Sequence, residues 1–188
     1  MLPLLFAAGL ASAPAATIPF ELLGKAGAGL LPGNENHVIN GTPGSGGAIG
    51  AGISFDDVSR VLTINVGWGS GNGFTDLTGN ATVAHIHGLT ADGGTASFTQ
   101  NAGVRYDLNT LPGWNPSAVN GVFTGTVTIA EGDVQALLDG RMYINVHTAA
   151  NGPGEIRGNL VVVPEPGAGA LALLGAAAFA TGLVRRRR

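Results

Sequence analysis

The chain has no cysteine among its 188 residues. That excludes a disulfide framework, thiolate metal sites and cysteine nucleophiles, and leaves burial and hydrogen bonding to hold the fold. Charge is also scarce, at 11% of residues, and basic side chains are the scarcest kind. Between residues 16 and 163 there are five, Lys25, Arg60, Arg105, Arg141 and Arg157, against eleven acidic ones, a formal charge of −6. Binding a phosphate backbone needs clustered Lys and Arg, so nucleic acid is excluded as a partner of this body. The serines stand in no Gly-x-Ser-x-Gly setting, and neither a phosphate loop nor a catalytic pair of carboxylates stands out, so no catalytic constellation is readable. No internal repeat is visible either, which argues against a solenoid.

What the chain has in abundance is glycine, 32 of 188 residues or about 17%, against a usual ~7%. The glycines follow no triplet period, which excludes collagen, and a 45% hydrophobic content argues against wholesale disorder. Many short strands joined by glycine turns account for this composition, and the length suits one domain with a core of its own.

Both ends read as segments apart from that domain. Residues 2–10 form an apolar run, and Ala13-Pro14-Ala15 fits the small-x-small pattern read by signal peptidase, so residues 1–15 are expected to be a signal peptide cut after Ala15. At the other end Pro164-Glu165-Pro166 precedes residues 167–184, which carry no charge, and then Arg185, Arg186, Arg187 and Arg188. Eighteen helical residues span about 27 Å, close to a hydrocarbon core of ~30 Å, so a C-terminal transmembrane helix is expected with the arginines on the cytoplasmic side.

Within the body, residues 141–160 stand out as a hairpin. Met142, Ile144 and Val146 alternate with Tyr143, Asn145 and His147, the period-two pattern of a strand with one apolar and one polar face. Asn151-Gly152-Pro153-Gly154 supplies the turn, and residues 155–162 read as the returning strand. A second strand over residues 80–87 places Ala81, Val83, His85 and His87 on one face. Two imidazoles at i and i+2 lie about 6 to 7 Å apart along a strand, near enough to converge on one ion.

Elsewhere, residues 51–55 and 58–66 predict a hairpin turning at Asp56-Asp57, with Leu62, Ile64 and Val66 toward the core. Pro19 marks a first strand over residues 19–23 as an edge, and Gly125 marks a bulge in the strand over residues 119–129. Thr128-Ile-Ala-Glu131 has the form of a capping box opening one short connector helix that Gly140 closes. Trp68 is expected to cap one end of the core, and His37 reads as a solvated side chain. Glu155 and Arg157, with Arg141 close by, read as a salt bridge tying the hairpin together.

Two family resemblances follow from these residues. Ala84-His85-Ile86-His87-Gly88, then residues 143–148 and Gly154-Glu155-Ile156-Arg157-Gly158, resemble the signature of the CHRD domain, a module named after chordin and found also in bacterial exported proteins. The resemblance covers roughly residues 17–162, giving a domain over residues 16–162. It implies an all-β fold, an antiparallel immunoglobulin-like or superoxide-dismutase-like β-sandwich, and no particular activity. The tripartite tail over residues 163–188 resembles the PEP-CTERM sorting signal of Gram-negative bacteria. It implies an exosortase-type processing enzyme as a partner, beside signal peptidase, and an inner-membrane precursor released to the cell surface or matrix.

His85, His87 and His147 are the candidate metal ligands. If their strands meet, three neutral imidazoles suit copper or zinc. A His-x-His strand plus a distant histidine is also what superoxide dismutases use for copper. Here the zinc loop and the disulfide of that family are missing, so dismutase activity has no support. The alternative is a buried polar network, with Asn145, that needs no cofactor. Two functions stay open on this reading: a non-catalytic envelope module binding a protein, a polysaccharide or itself, and a copper or zinc protein.

Overall fold

The computed structural model describes residues 16–114 and 119–164. Nine strands form one antiparallel sheet: β1 (Thr17–Gly24), β2 (Gly27–Ala28), β3 (Gly46–Asp56), β4 (Val61–Trp68), β5 (Ala81–His87), β6 (Val104–Asp107), β7 (Gly121–Thr128), β8 (Tyr143–Thr148) and β9 (Ile156–Val162). The order is β6-β5-β8-β9-β1-β3-β4-β7, with β2 paired to β1. Past the end of β6, Trp114 bridges to Phe123 of β7, and the Thr124 N–H donates to the Gly113 carbonyl at 3.4 Å. The sheet is therefore nearly closed, and the expected sandwich takes the form of a single sheet folded over one core.

The alternation read in the sequence builds that core. Leu62, Ile64 and Val66 from β4 meet Ile144 and Val146 from β8 and Leu160 from β9, all fully or almost fully buried. Trp68 is buried and packs against Trp114 with ring centroids 5.6 Å apart, consistent with a tryptophan at the end of the core. The β3–β4 turn forms where expected, because the Asp56 carboxylate accepts from the N–H groups of Val58 and Ser59 at 3.1 and 2.7 Å.

Several expectations are corrected. The first strand is not an edge, since β1 lies between β9 and β3. Pro19 is tolerated there because its carbonyl accepts from Val163 N–H, just past the end of β9, so its missing N–H faces the same position rather than a ladder partner. Gly125 makes no bulge, for β4 and β7 pair in unbroken register from Val61 to Trp68. A Cβ at Gly125 would instead overlap the Phe123 ring.

The pairing irregularity in β5 falls between Ala81 and Val83, and it turns Ala81 into the core with Ala84 and Ile86 rather than onto the histidine face. The capping box does not form, because Thr128 still belongs to β7 and Ala130 precedes the 3₁₀ turn Glu131–Asp133 with no side-chain cap. The helix that follows, α1 (Val134–Leu138), does end at Gly140, φ 71°, where Gly140 and Arg141 donate to Leu137 and Ala136.

The signal-peptide stretch 1–15, Glu165, Pro166, the apolar run 167–184 and Arg185 to Arg188 lie outside the described residues. Among the described residues no helix is long and apolar enough to cross a membrane.

Candidate metal centre

All six residues of β8 are buried, so both of its faces are interior. One faces the apolar core. The other carries Tyr143, Asn145 and His147, pairs laterally with His87, His85 and Val83 of β5, and meets Asn159 and Arg157 of β9. Directly paired antiparallel residues share a face, so the two strands beside β8 extend its polar row into a layer. The 3₁₀ turn Pro32–Asn34, the segment 97–102 and the turn 151–154 supply the groups that cover this layer.

Within the layer His85, His87 and His147 converge, each offering a ligand nitrogen within 4.8 Å of the others. His147 Nδ1 lies 2.7 Å from the Gly152 carbonyl and His87 Nδ1 lies 2.9 Å from the Ala102 carbonyl. A carbonyl only accepts, so both rings carry their proton on Nδ1 and present a lone pair at Nε2. That is the arrangement of metal-ligating histidines held by backbone carbonyls.

The third ring, His85, places Nδ1 3.1 Å from His147 Nε2. Its own Nε2 is 3.4 Å from the Asn109 amide nitrogen, and the Asn109 oxygen accepts from Ala84 N–H at 2.6 Å. His85 therefore donates from Nδ1 to His147, and an ion between the two would replace that proton. His87 Nε2 is enclosed and makes no hydrogen bond among the described residues. Tetrahedral Zn–N bonds of ~2.0 to 2.1 Å need nitrogens roughly 3.3 to 3.4 Å apart, so the His85–His147 pair is near that spacing.

Electrostatics agree with ligand chemistry. Burial is the first cause holding all three imidazoles below their ordinary pKa, and mutual proximity adds to it. They stay neutral and keep lone pairs available. Tyr143 stacks on His87 with centroids 4.9 Å apart and planes 6° apart, and the Arg157 guanidinium lies 3.5 Å from the Tyr143 ring centroid. His87 is thus the end of a short stack that fixes its plane.

The other sequence-read residues divide. Asn145 adjoins the cluster, while Gly154 sits where a Cβ would overlap Glu35 and the Asn145 amide. Glu155 and Arg157 form no ion pair. Glu155 accepts from Thr148, Asn151, Thr78 and Gly44 at the far end of the hairpin, whereas Arg157 donates to Asn101, Asn159 and the carbonyls of Ser97 and Gln100. Two residues apart on an extended chain, they are drawn into different polar networks. Arg141 also turns away, donating to the Thr90 carbonyl at 2.7 Å. Gly158 faces Leu22 and the Gly29 carbonyl, too close for any side chain. Pro164 follows β9 and is exposed.

Two participants, Glu35 and Asn109, went unread in the sequence, and a third, His37, reads there as solvated. Glu35 is buried beside Asn145, and burial pushes its carboxyl up to about 7 although Arg157, Asn145 and Lys25 pull it back. His37 is not simply solvated: its Nε2 lies 2.9 Å from the Gly154 carbonyl and its Nδ1 3.7 Å from Glu35. Asn109 orients His85. An acid and a histidine two apart in the Asn- and Gly-rich stretch 33–42 are the only local sign of Glu35 and His37.

Fold and site together define a small antiparallel β module whose most buried strand carries a polar layer with a histidine cluster. The chain belongs to the CHRD domain family, whose model matches residues 28–160. No curated protein and no solved structure matches it. The match begins after β1, although β1 lies within the sheet between β9 and β3.

Proposed function

We propose that this is an exported CHRD domain protein of the cell envelope or extracellular matrix, a binding module rather than an enzyme, and that the ligand its geometry suits best is a copper or zinc ion held by His85, His87 and His147. The observation that carries the ligand is the convergence of the three imidazoles within 4.8 Å, with His87 Nε2 left without a partner. Neutral imidazole suits both metals, and a three-nitrogen set leaves room for a further ligand. Export rests on separate sequence support, the apolar N-terminus and the Pro164-Glu165-Pro166, apolar and arginine parts of the tail. Ala13-Pro14-Ala15 supports signal peptidase and the tail supports an exosortase-type enzyme as processing partners, and an envelope polysaccharide or protein is the class of binding partner proposed for the mature domain.

Metal analysis of the purified full chain tests the ligand. About one equivalent of copper or zinc is expected, lost on His87→Ala or His147→Ala. Sub-stoichiometric metal unaffected by either substitution, with thermal stability lowered in metal-free buffer, would instead identify the cluster as a structural polar network. Deleting residues 164–188 tests the sorting: processing and surface retention are expected to fail, and their persistence would refute it.

A further inference from the structure

We infer that Asn145 supplies a fourth ligand to this site through its side-chain oxygen, giving an N3O set that favours zinc(II) or copper(II) over copper(I). The inference rests on the three-histidine reading above and concerns a residue outside that set.

Asn145 is central to the polar layer. It stands between Tyr143 and His147 along β8, opposite His85 of β5 and opposite Arg157 of β9, and is 1% exposed. Its amide cannot be reversed without cost. Nδ2 faces two acceptors, the Pro153 carbonyl at 3.2 Å and Glu35 Oε1 at 3.5 Å, so the oxygen must point the other way. There Oδ1 is enclosed and accepts no hydrogen bond among the described residues. His87 Nε2 is the other enclosed acceptor of the layer, and the Asn145 amide neighbours the His87 ring closely enough to interact with it.

Two enclosed lone pairs in one layer, each on a group whose opposite end is already committed, call for an electron-poor species between them. The ring proton of His87 is already committed at Nδ1 to the Ala102 carbonyl 2.9 Å away, so Nε2 presents a lone pair. A metal cation meets both lone pairs at once. An amide oxygen is a hard, neutral donor of the kind that suits divalent ions, and it adds nothing to the binding of soft copper(I). A bridging water donating to both atoms is the competing account, and it makes opposite predictions.

The test uses the full chain solubilised in detergent, with zinc(II) affinity measured against a competing chelator and copper(I) affinity against a cuprous chelator. Asn145→Leu keeps the volume and removes the oxygen. Its zinc(II) affinity is expected to fall by about tenfold or more while copper(I) affinity stays nearly unchanged. Asn145→Asp keeps the oxygen and is expected to bind zinc(II) at least as well as the native chain. Zinc(II) is also expected to shift the Asn145 side-chain amide resonances of the isotope-labelled native chain, a readout that needs no variant to fold. Equal zinc(II) affinity in Asn145→Leu, or unmoved Asn145 resonances on zinc binding, would overturn the inference and leave the three histidines as the site. Failure of the native chain to bind either metal would sink the underlying reading as well.

Discussion

Arg157 offers the sharpest test of the polar layer, because the conservative substitution is expected to be the worse one. The side chain is fully buried with no carboxylate of the described residues within ion-pair distance, and among them its donors reach only neutral acceptors: Ser97 and Gln100 carbonyls at 3.2 and 2.8 Å, and the Asn101 and Asn159 side chains at 3.1 and 3.2 Å. Arg157→Met removes the charge and its desolvation penalty together. What it loses is the contact with Tyr143, about 1 to 2 kcal/mol, and the only donors to Asn159 Oδ1 among the described residues, about 1 to 3 kcal/mol. The relieved desolvation, several kcal/mol per buried ion, offsets much of this and leaves a net loss of about 1 to 2 kcal/mol.

Arg157→Lys keeps the charge buried but cannot reproduce the planar fork, so two or more charge-assisted hydrogen bonds go, at about 1.5 to 3 kcal/mol each. A cost near 4 kcal/mol follows, at least ~2 kcal/mol more than for Met. A buried lysine also has a depressed pKa, so the folded state binds fewer protons than the unfolded one and the stability of this variant rises from pH 7 to 9. Urea unfolding of the three metal-free proteins at both pH values measures all of this. A lysine variant within ~0.5 kcal/mol of the native chain, or a methionine variant clearly below the lysine one, would refute the reasoning.

Two further predictions concern the same neighbourhood. Burial pushes Glu35 up to about 7 in the fold against an ordinary 4.5, so the contribution of this one group to stability is fully present below pH 4.5 and is lost as pH rises through about 7. Glu35→Gln should therefore gain about 3 kcal/mol on the native chain between pH 4.5 and 8, and a pH-independent difference in unfolding free energy would contradict this. Gly154→Ala meets both a φ of 133° and overlap with Glu35 and the Asn145 amide, and should cost roughly 2 kcal/mol or more. Gly152→Ala, with open space around its Cβ, is the matched control and should cost little in the same thermal melts.

The sequence carried the local logic of the fold and much less of its tertiary logic. Alternation found β8, and the same rule set Leu62, Ile64 and Val66 inward, because period two is a property of the strand alone. Motif spacing also brought His85, His87 and His147 into consideration, although only pairing between β5 and β8, 62 residues apart at His85 and His147, brings them together. What stayed hidden depends on neighbours distant in sequence. Pro19 is tolerated in an interior strand only because β9 stops beside it, and Thr128 is kept from capping α1 by its pairing with Val61. Glu35 becomes a participant only when the 32–36 stretch folds over a layer formed more than a hundred residues later. The expected salt bridge failed for a related reason: Glu155 and Arg157 each found neutral partners from other segments that satisfy them more completely.

The double burial of β8 bears on how its pairing stays in place. In a strand with one wet face, a slip of one residue trades core for solvent on that strand alone. A slip in β8 would drive Tyr143, Asn145 and His147 into the apolar interior and push Ile144 and Val146 among histidines, an arginine and a buried carboxylate. Each side forbids the slip independently, so the two interiors act as opposed combs that hold one strand in a single register. A glycine-rich chain with no disulfide gains from this a fixed reference line against which its looser loops can be set.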